Sequence, residues 1–179
     1  MKKSYLVLLI AVLFSMSVFS QENSENISAS ENFNEVKING LYLVLGAFDL
    51  TYERTISQES AFGVNVFLPF DDDINDDINY YISPYYRFYF GKKYAAGFFV
   101  EGFGMLNSTN DYNYLDGSNS SNKENITDFA LGIGLGGKWI TKSGFIGELN
   151  LGFGRNLFNS DRYDYEIIGK VGITLGYRF

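Results

Sequence analysis

Cysteine and histidine are both missing from this chain, and proline occurs only twice. Without cysteine there is no disulfide, and no lipid anchor can be attached through a thiol. An oxidising compartment is still allowed, since it permits disulfides without requiring them. Without histidine the Ser-His-acid arrangement of hydrolases is excluded, and no paired acids stand out at a defined site for carboxylate-only catalysis. Positive charge is also scarce: 14 Lys and Arg stand against 21 Asp and Glu. That balance argues against a nucleic-acid partner, which selects for a basic face. Beyond residue 20 no apolar run is long enough to cross a bilayer as a helix. If the remaining chain lies in a membrane, a closed barrel is the way left to satisfy its backbone.

What is present begins with an export pattern. Lys2 and Lys3 precede a nearly unbroken apolar run from Tyr5 to Phe19, and Val18 and Ser20 are small enough for a −3/−1 cleavage site. These are the parts of a secretory signal peptide. The run is shorter than the ~20 residues of a transmembrane helix. Cleavage is expected after Ser20, which would make the formal charge of −7 more negative by the loss of two lysines. Residues 21–35 are polar, rich in Ser, Asn and Glu, without a period, and read as a disordered N-terminal segment. From 36 to 179 the chain is rich in aromatic residues and glycine, drawing on totals of 14 Tyr, 17 Phe and 19 Gly. Aromatic girdles and glycine-bearing strands suit a membrane barrel.

Eight segments with period-2 character divide that region: Val36–Leu45, Phe48–Ile56, Ala61–Phe70, Tyr80–Phe90, Ala96–Leu106, Ile126–Ile140, Phe145–Leu157 and Tyr165–Phe179. In the last, Ile167, Val171, Ile173, Leu175, Tyr177 and Phe179 share one face, and Lys170, Gly172, Thr174, Gly176 and Arg178 the other. In the sixth, Phe129, Leu131, Ile133, Leu135 and Trp139 oppose Asp128, Ala130, Gly132, Gly134, Gly136 and Lys138. One face is large and apolar; the other mixes glycine with polar and charged residues. A soluble sandwich or barrel needs its bulky face inside. Here the small, polar face fits a narrow interior and the bulky face is left for lipid. Two segments break phase. Lys37 and Asn39 align with Leu41, Leu43 and Leu45, and Glu101 aligns with Phe99 and Phe103. A bulge in either strand would repair this.

The connections alternate as well. Ser57–Ser60, Gly91–Ala95 and Thr141–Gly144 are short, whereas Asp71–Asn79, Asn107–Asn125 and Phe158–Asp164 are longer and polar. Bacterial barrels pair short periplasmic turns with longer outer loops. The connection near Gly46 and Ala47 is an unusually tight outer one. Trp139, Tyr177 and Tyr52 fall near the periplasmic ends and suit an interfacial aromatic belt.

The last ten residues, Lys170-Val-Gly-Ile-Thr-Leu-Gly-Tyr-Arg-Phe179, resemble the C-terminal insertion signal of outer-membrane barrels, with Lys170, Gly172, Leu175, Tyr177 and Phe179 at its positions. The resemblance implies that the barrel-assembly machinery reads this strand. The body resembles small OmpA/OmpX-type barrels, and more closely a family of uncharacterised eight-stranded outer-membrane proteins. That likeness rests on Leu50-Thr-Tyr-Glu-Arg54, Pro84-Tyr-Tyr-Arg-Phe-Tyr-Phe90, Gly97-Phe-Phe-Val100 and Gly136-Gly-Lys-Trp-Ile-Thr-Lys-Ser-Gly-Phe145. It implies a fold and an outer-membrane location, and no agreed activity.

If the phases hold, Glu53, Glu101 and Glu148 face Arg87, Lys138 and Arg178 inside the periplasmic half. Charges in so narrow an interior must be paired. A structural plug of ion pairs is the favoured reading, and a gated ion path the sharper one. The acidic run Asp71–Asp77 lacks the glycine and distal glutamate of an EF-hand loop and reads as a solvated surface loop. Gly132-Ile-Gly134-Leu-Gly136 does not have dinucleotide-binding spacing and fits an inward strand face. Asn107–Asn125, with Tyr112 and Tyr114, is a candidate binding loop.

The expectation is an all-β protein: one eight-stranded antiparallel transmembrane up-and-down barrel over 36–179, exported and placed in the outer membrane. Its surroundings would be outer-membrane lipid and lipopolysaccharide, with no cofactor, no metal and no nucleic acid. A non-enzymatic structural or surface-interaction role leads, its surface ligand unnamed. A narrow ion or small-solute channel and a soluble periplasmic lipocalin-like binder are the alternatives.

Overall fold

The computed structural model describes residues 34–71, 74, 78–114, 121–158 and 166–179, with 111–114 and 121–124 described by backbone alone. The expected signal peptide and most of the polar segment lie outside the described residues. Eight strands form a closed barrel in sequence order, each antiparallel to its neighbours: β1 (Asn34–Asn39), β2 (Ala47–Thr55), β3 (Ser60–Pro69), β4 (Ile78–Tyr89), β5 (Gly97–Tyr114), β6 (Ser121–Ile140), β7 (Phe145–Asn156) and β8 (Ile167–Arg178). β1 pairs with both β2 and β8, which closes the ring and leaves no free edge around the wall. The seam is finished by Phe179 N–H donating to the Asn34 carbonyl at 2.8 Å and Asn34 N–H to the Phe179 carbonyl at 3.2 Å. β1 starts two residues ahead of the boundary expected at Val36, so Glu35 is a strand residue.

The pleat sends alternate side chains in and out, and the faces sort as the alternation requires. Ile133 is 62% exposed and Leu135 51%, while Lys138 on the opposite face is 1% exposed. Large apolar side chains cover the outside of every strand, including Phe62, Tyr86, Phe98, Leu151 and Leu175. In water such a surface would be an aggregation hazard; against hydrocarbon it is the stable arrangement. β2, β3, β4, β7 and β8 are 9 to 12 residues long, close to the ~9–11 a tilted strand needs to cross a bilayer. The bulky face is outside, so the geometry required by a soluble lipocalin-like barrel is absent.

The interior is bulkier than the small, polar face the alternation suggests. Phe67, Tyr81, Tyr85, Tyr89, Phe99 and Phe103 all point inward from β3, β4 and β5. Their volume is accommodated by glycine on the next wall. Phe99, Glu101 and Phe103 of β5 stand in register with Gly136, Gly134 and Gly132 of β6, and a β-carbon at any of the three glycines would run into its partner's side chain. The fifth strand therefore keeps phase without a bulge. Glu101 shares a face with two phenylalanines because all three fill the interior.

The first segment is corrected more sharply. The strand expected over Val36–Leu45 ends at Asn39 and is followed by a one-turn helix, α1 (Gly40–Leu45). Leu41 to Leu45 is apolar at every position, so its period is ambiguous from sequence. The ends decide it: the Asn39 side chain accepts from Leu41 N–H at 3.2 Å, and Gly46, at φ 107°, takes the left-handed closing position. The tight outer connection is in fact this helix plus Gly46. Tyr42 of α1 packs edge-on against Phe67, which stacks on Tyr81 at 4.7 Å, and Met105, Ala47 and Ala130 complete an apolar layer inside the loop end.

The loop expected over Asn107–Asn125 is largely strand. Pairing of β5 with β6 continues from Asn107↔Asp128 to Tyr114↔Ser121. Strand pairing outside the membrane needs no apolar alternation, so the polar sequence concealed it. β4 leaves β5 at Ile78↔Thr109 and β7 joins β6 only at Ala130↔Asn156. Among the described residues, the tip is thus a two-stranded ribbon standing beyond its neighbours.

Candidate functional site

The densest chemistry lies inside the turn end, on inward positions of seven strands. Glu53 of β2 is its hub. Its carboxylate accepts from Lys37 at 2.7 Å, Lys138 at 2.5 Å and Arg87 at 3.1 Å, and from the hydroxyls of Tyr85 at 2.6 Å and Tyr89 at 2.8 Å. Arg87 reaches on to Glu101 at 2.8 Å and Glu148 at 2.8 Å. Lys138 also holds Glu35 at 2.9 Å. Arg178 donates to Glu35 at 2.6 Å and caps the turn between β4 and β5 through the carbonyls of Tyr94 and Ala95. All six residues named from the sequence, Glu53, Arg87, Glu101, Lys138, Glu148 and Arg178, are brought into one connected cluster.

Three further residues join these six in the cluster. Lys37 bridges Glu53 and Glu148 at 2.7 and 3.0 Å, Glu35 anchors Lys138 and Arg178, and Lys170 pairs with Glu101 at 3.0 Å. Lys37 was hidden by the phase conflict with Leu41–Leu45, and Glu35 by the polar segment before it. In the sequence Lys170 stands out through the insertion signal, and its phase on the last strand points inward. Aromatic faces line the cations: Arg87 lies 4.1 Å from the Phe99 ring centre, Lys138 4.5 Å from Tyr89, and Lys170 4.8 Å from Tyr85. These contacts replace part of the hydration that burial removes.

Above the ion pairs, Asp49 accepts from the Asn39 amide at 2.8 Å and from the amide of Asn65. A cavity of about 10 Å³, roughly the room for one water, lies beside Asp49, Asn65, Asn150, Lys170 and Thr174. The apolar layer of Phe67, Tyr81 and Met105 closes the interior toward the loop end. Among the described residues the interior is filled, charged below and apolar above.

The other named residues are placed as follows. On β8, Lys170 and Gly172 point inward, while Leu175, Tyr177 and Phe179 face outward and are about half exposed. Trp139, Tyr177 and Tyr52 are exposed near the turn end, and the Phe145 and Tyr177 rings meet at 5.5 Å. Of the acidic run, Asp71 is exposed and Ile74 partly buried; residues 72, 73 and 75–77 lie outside the described residues. The side chains of Tyr112 and Tyr114 lie outside them too.

Closed eight-strand order, antiparallel pairing throughout and an apolar exterior define a transmembrane up-and-down barrel. The N-terminal β-barrel domain of Pseudomonas aeruginosa OprF shares this fold, with a TM-score of 0.54 at 15% identity, covering 83% of this chain and 98% of that one. Yersinia pestis outer membrane protein Ail aligns with a TM-score of 0.40 at 16% identity, covering 83% and 100%. The chain belongs to the family described as Protein of unknown function (DUF3575), which matches residues 6–174. No curated protein matches it.

Proposed function

We propose that this protein is a non-enzymatic barrel of the outer membrane that acts through what it presents at its loop end, on a closed and rigid scaffold. The observation that carries this reading is the β5–β6 ribbon, paired from Asn110↔Asn125 out to Tyr114↔Ser121 and, among the described residues, beyond both neighbouring strands. A projecting ribbon on a firm barrel fits the rule that binding segments sit on loops held by a scaffold. Export by the N-terminal signal, insertion read from Lys170, Gly172, Leu175, Tyr177 and Phe179 by the assembly machinery, and contact with lipid and lipopolysaccharide belong to the same reading. Its support is the apolar exterior and the likeness in fold to outer-membrane barrels.

The charged interior supports a second reading, a narrow ion or small-solute channel. Planar-bilayer recording separates the two. The scaffold reading expects no reproducible unitary current from purified protein. Unitary currents that disappear on Glu148→Gln or Lys138→Met would overturn it in favour of the channel. Replacing residues 110–125 by a short turn is expected to abolish surface binding while leaving a folded barrel.

A further inference from the structure

The turn end of the barrel carries an exposed basic rim. At the turn end Arg54, Lys92, Lys93 and Lys142 are exposed. Among the described residues of that end, Glu59 is the exposed carboxylate, and none of these four cations forms an ion pair. The buried carboxylates there are engaged by Lys37, Arg87, Lys138 and Arg178 and do not offset the rim.

The position of these cations matters as much as their sign. Arg54 is the next outward residue of β2 after Phe48, Leu50 and Tyr52, all exposed. Lys92 and Lys93 lie in the turn between Phe90 and Phe98, whose exposed rings are 5.9 Å apart. Lys142 lies between exposed Trp139 and Phe145. Each cation therefore follows directly on the aromatic border of the lipid-facing belt, at the level where headgroups begin. Long basic side chains there keep their stems against hydrocarbon and their charge at the phosphates. The platform is held firmly. Gln58 donates to the Lys92 carbonyl at 3.3 Å, Ala95 N–H donates to the Gln58 carbonyl at 2.7 Å, and Arg178 grips the same turn from inside.

We infer that the turn-end rim of Arg54, Lys92, Lys93 and Lys142 binds anionic phospholipid headgroups of the leaflet it borders. Continuity with the lipid-facing belt selects a lipid over a soluble anion, and the sign of the rim selects a phospholipid with net negative charge.

The test uses the full mature protein reconstituted in phosphatidylcholine vesicles with traces of spin-labelled phosphatidylglycerol or phosphatidylcholine. Electron paramagnetic resonance reads the motionally restricted fraction of each. Wild type is expected to hold phosphatidylglycerol about two- to threefold over phosphatidylcholine at low ionic strength, falling to about parity at ~0.5 M salt, where exposed charges are screened. The variant Arg54→Gln/Lys92→Gln/Lys93→Gln/Lys142→Gln, confirmed folded by its boiling-dependent gel shift, is expected to show parity in low salt. Should that variant not fold, Lys92→Gln/Lys93→Gln, confined to one exposed turn, is expected to lose part of the preference. No preference in wild type, or a wild-type preference retained in the folded variants, overturns the inference. Retained lipid preference with weakened binding to purified peptidoglycan would overturn it in favour of a cell-wall partner.

Discussion

Glu53 and Lys138 are 85 residues apart in sequence and meet at 2.5 Å across the interior, both fully screened from solvent. Neither is tolerable there alone. The pair holds because Glu53 also accepts from Lys37, Arg87, Tyr85 and Tyr89 while Lys138 also holds Glu35. A buried ion pair with its remaining hydrogen-bonding positions filled is stable as a unit, and removing one member leaves an uncompensated charge.

Glu53→Gln is accordingly expected to cost about 3–5 kcal/mol, the usual loss when one partner of a buried pair is removed. Urea unfolding of the barrel in lipid vesicles measures it. Glu59→Gln, an exposed turn residue, is expected to stay within about 0.5 kcal/mol of wild type. Equal effects from the two would mean that the cluster does not hold the interior together.

Glycine on β6 and β7 is expected to matter by position. A β-carbon at Gly134 would stand 2.9 Å from Cγ of Glu101 and 3.2 Å from the Leu151 carbonyl, whereas one at Gly147 meets nothing within 4 Å. Gly134→Val should lose at least about 1–3 kcal/mol through overpacking, and Gly147→Ala should be close to neutral. The same unfolding titration compares them.

The outward face is tested by charge. Leu135→Arg, at the midpoint of the ladder between β6 and β7 and 51% exposed, is expected to cost about 2–4 kcal/mol in a bilayer, the penalty for arginine at the midplane of a barrel wall. In water an exposed leucine can be replaced at little cost. A neutral result in vesicles would contradict a lipid-facing surface.

A folded barrel with no free edge resists SDS until heated. The membrane fraction should therefore give one mobility without boiling and another after it, and the form in which residues 110–125 are replaced by a short turn should keep that shift. Loss of the shift in the shortened form would place the ribbon within the stabilising core instead of outside it.

Much of this was legible residue by residue. Five of the eight segments fall on strands within two residues at both ends, because a strand buried on one side must alternate and the alternation is local. Leu41 to Leu45 resisted because a run apolar at every position has no readable period. The Asn107–Asn125 ribbon resisted for the opposite reason, since pairing beyond the membrane leaves no apolar trace. The ambiguous first segment and the polar stretch before it hide Lys37 and Glu35, two of the residues that neutralise the interior.

The strand number, the inward or outward direction of most side chains and the apolar exterior follow from the sequence alone, because pleat and bilayer thickness act on each strand independently. Which charges meet does not. Glu53 reaches Lys138, and Phe103 lies over Gly132, only because the ring closes with one register between each pair of strands. Register across the barrel is a collective property of all eight strands, and only the tertiary structure decides it.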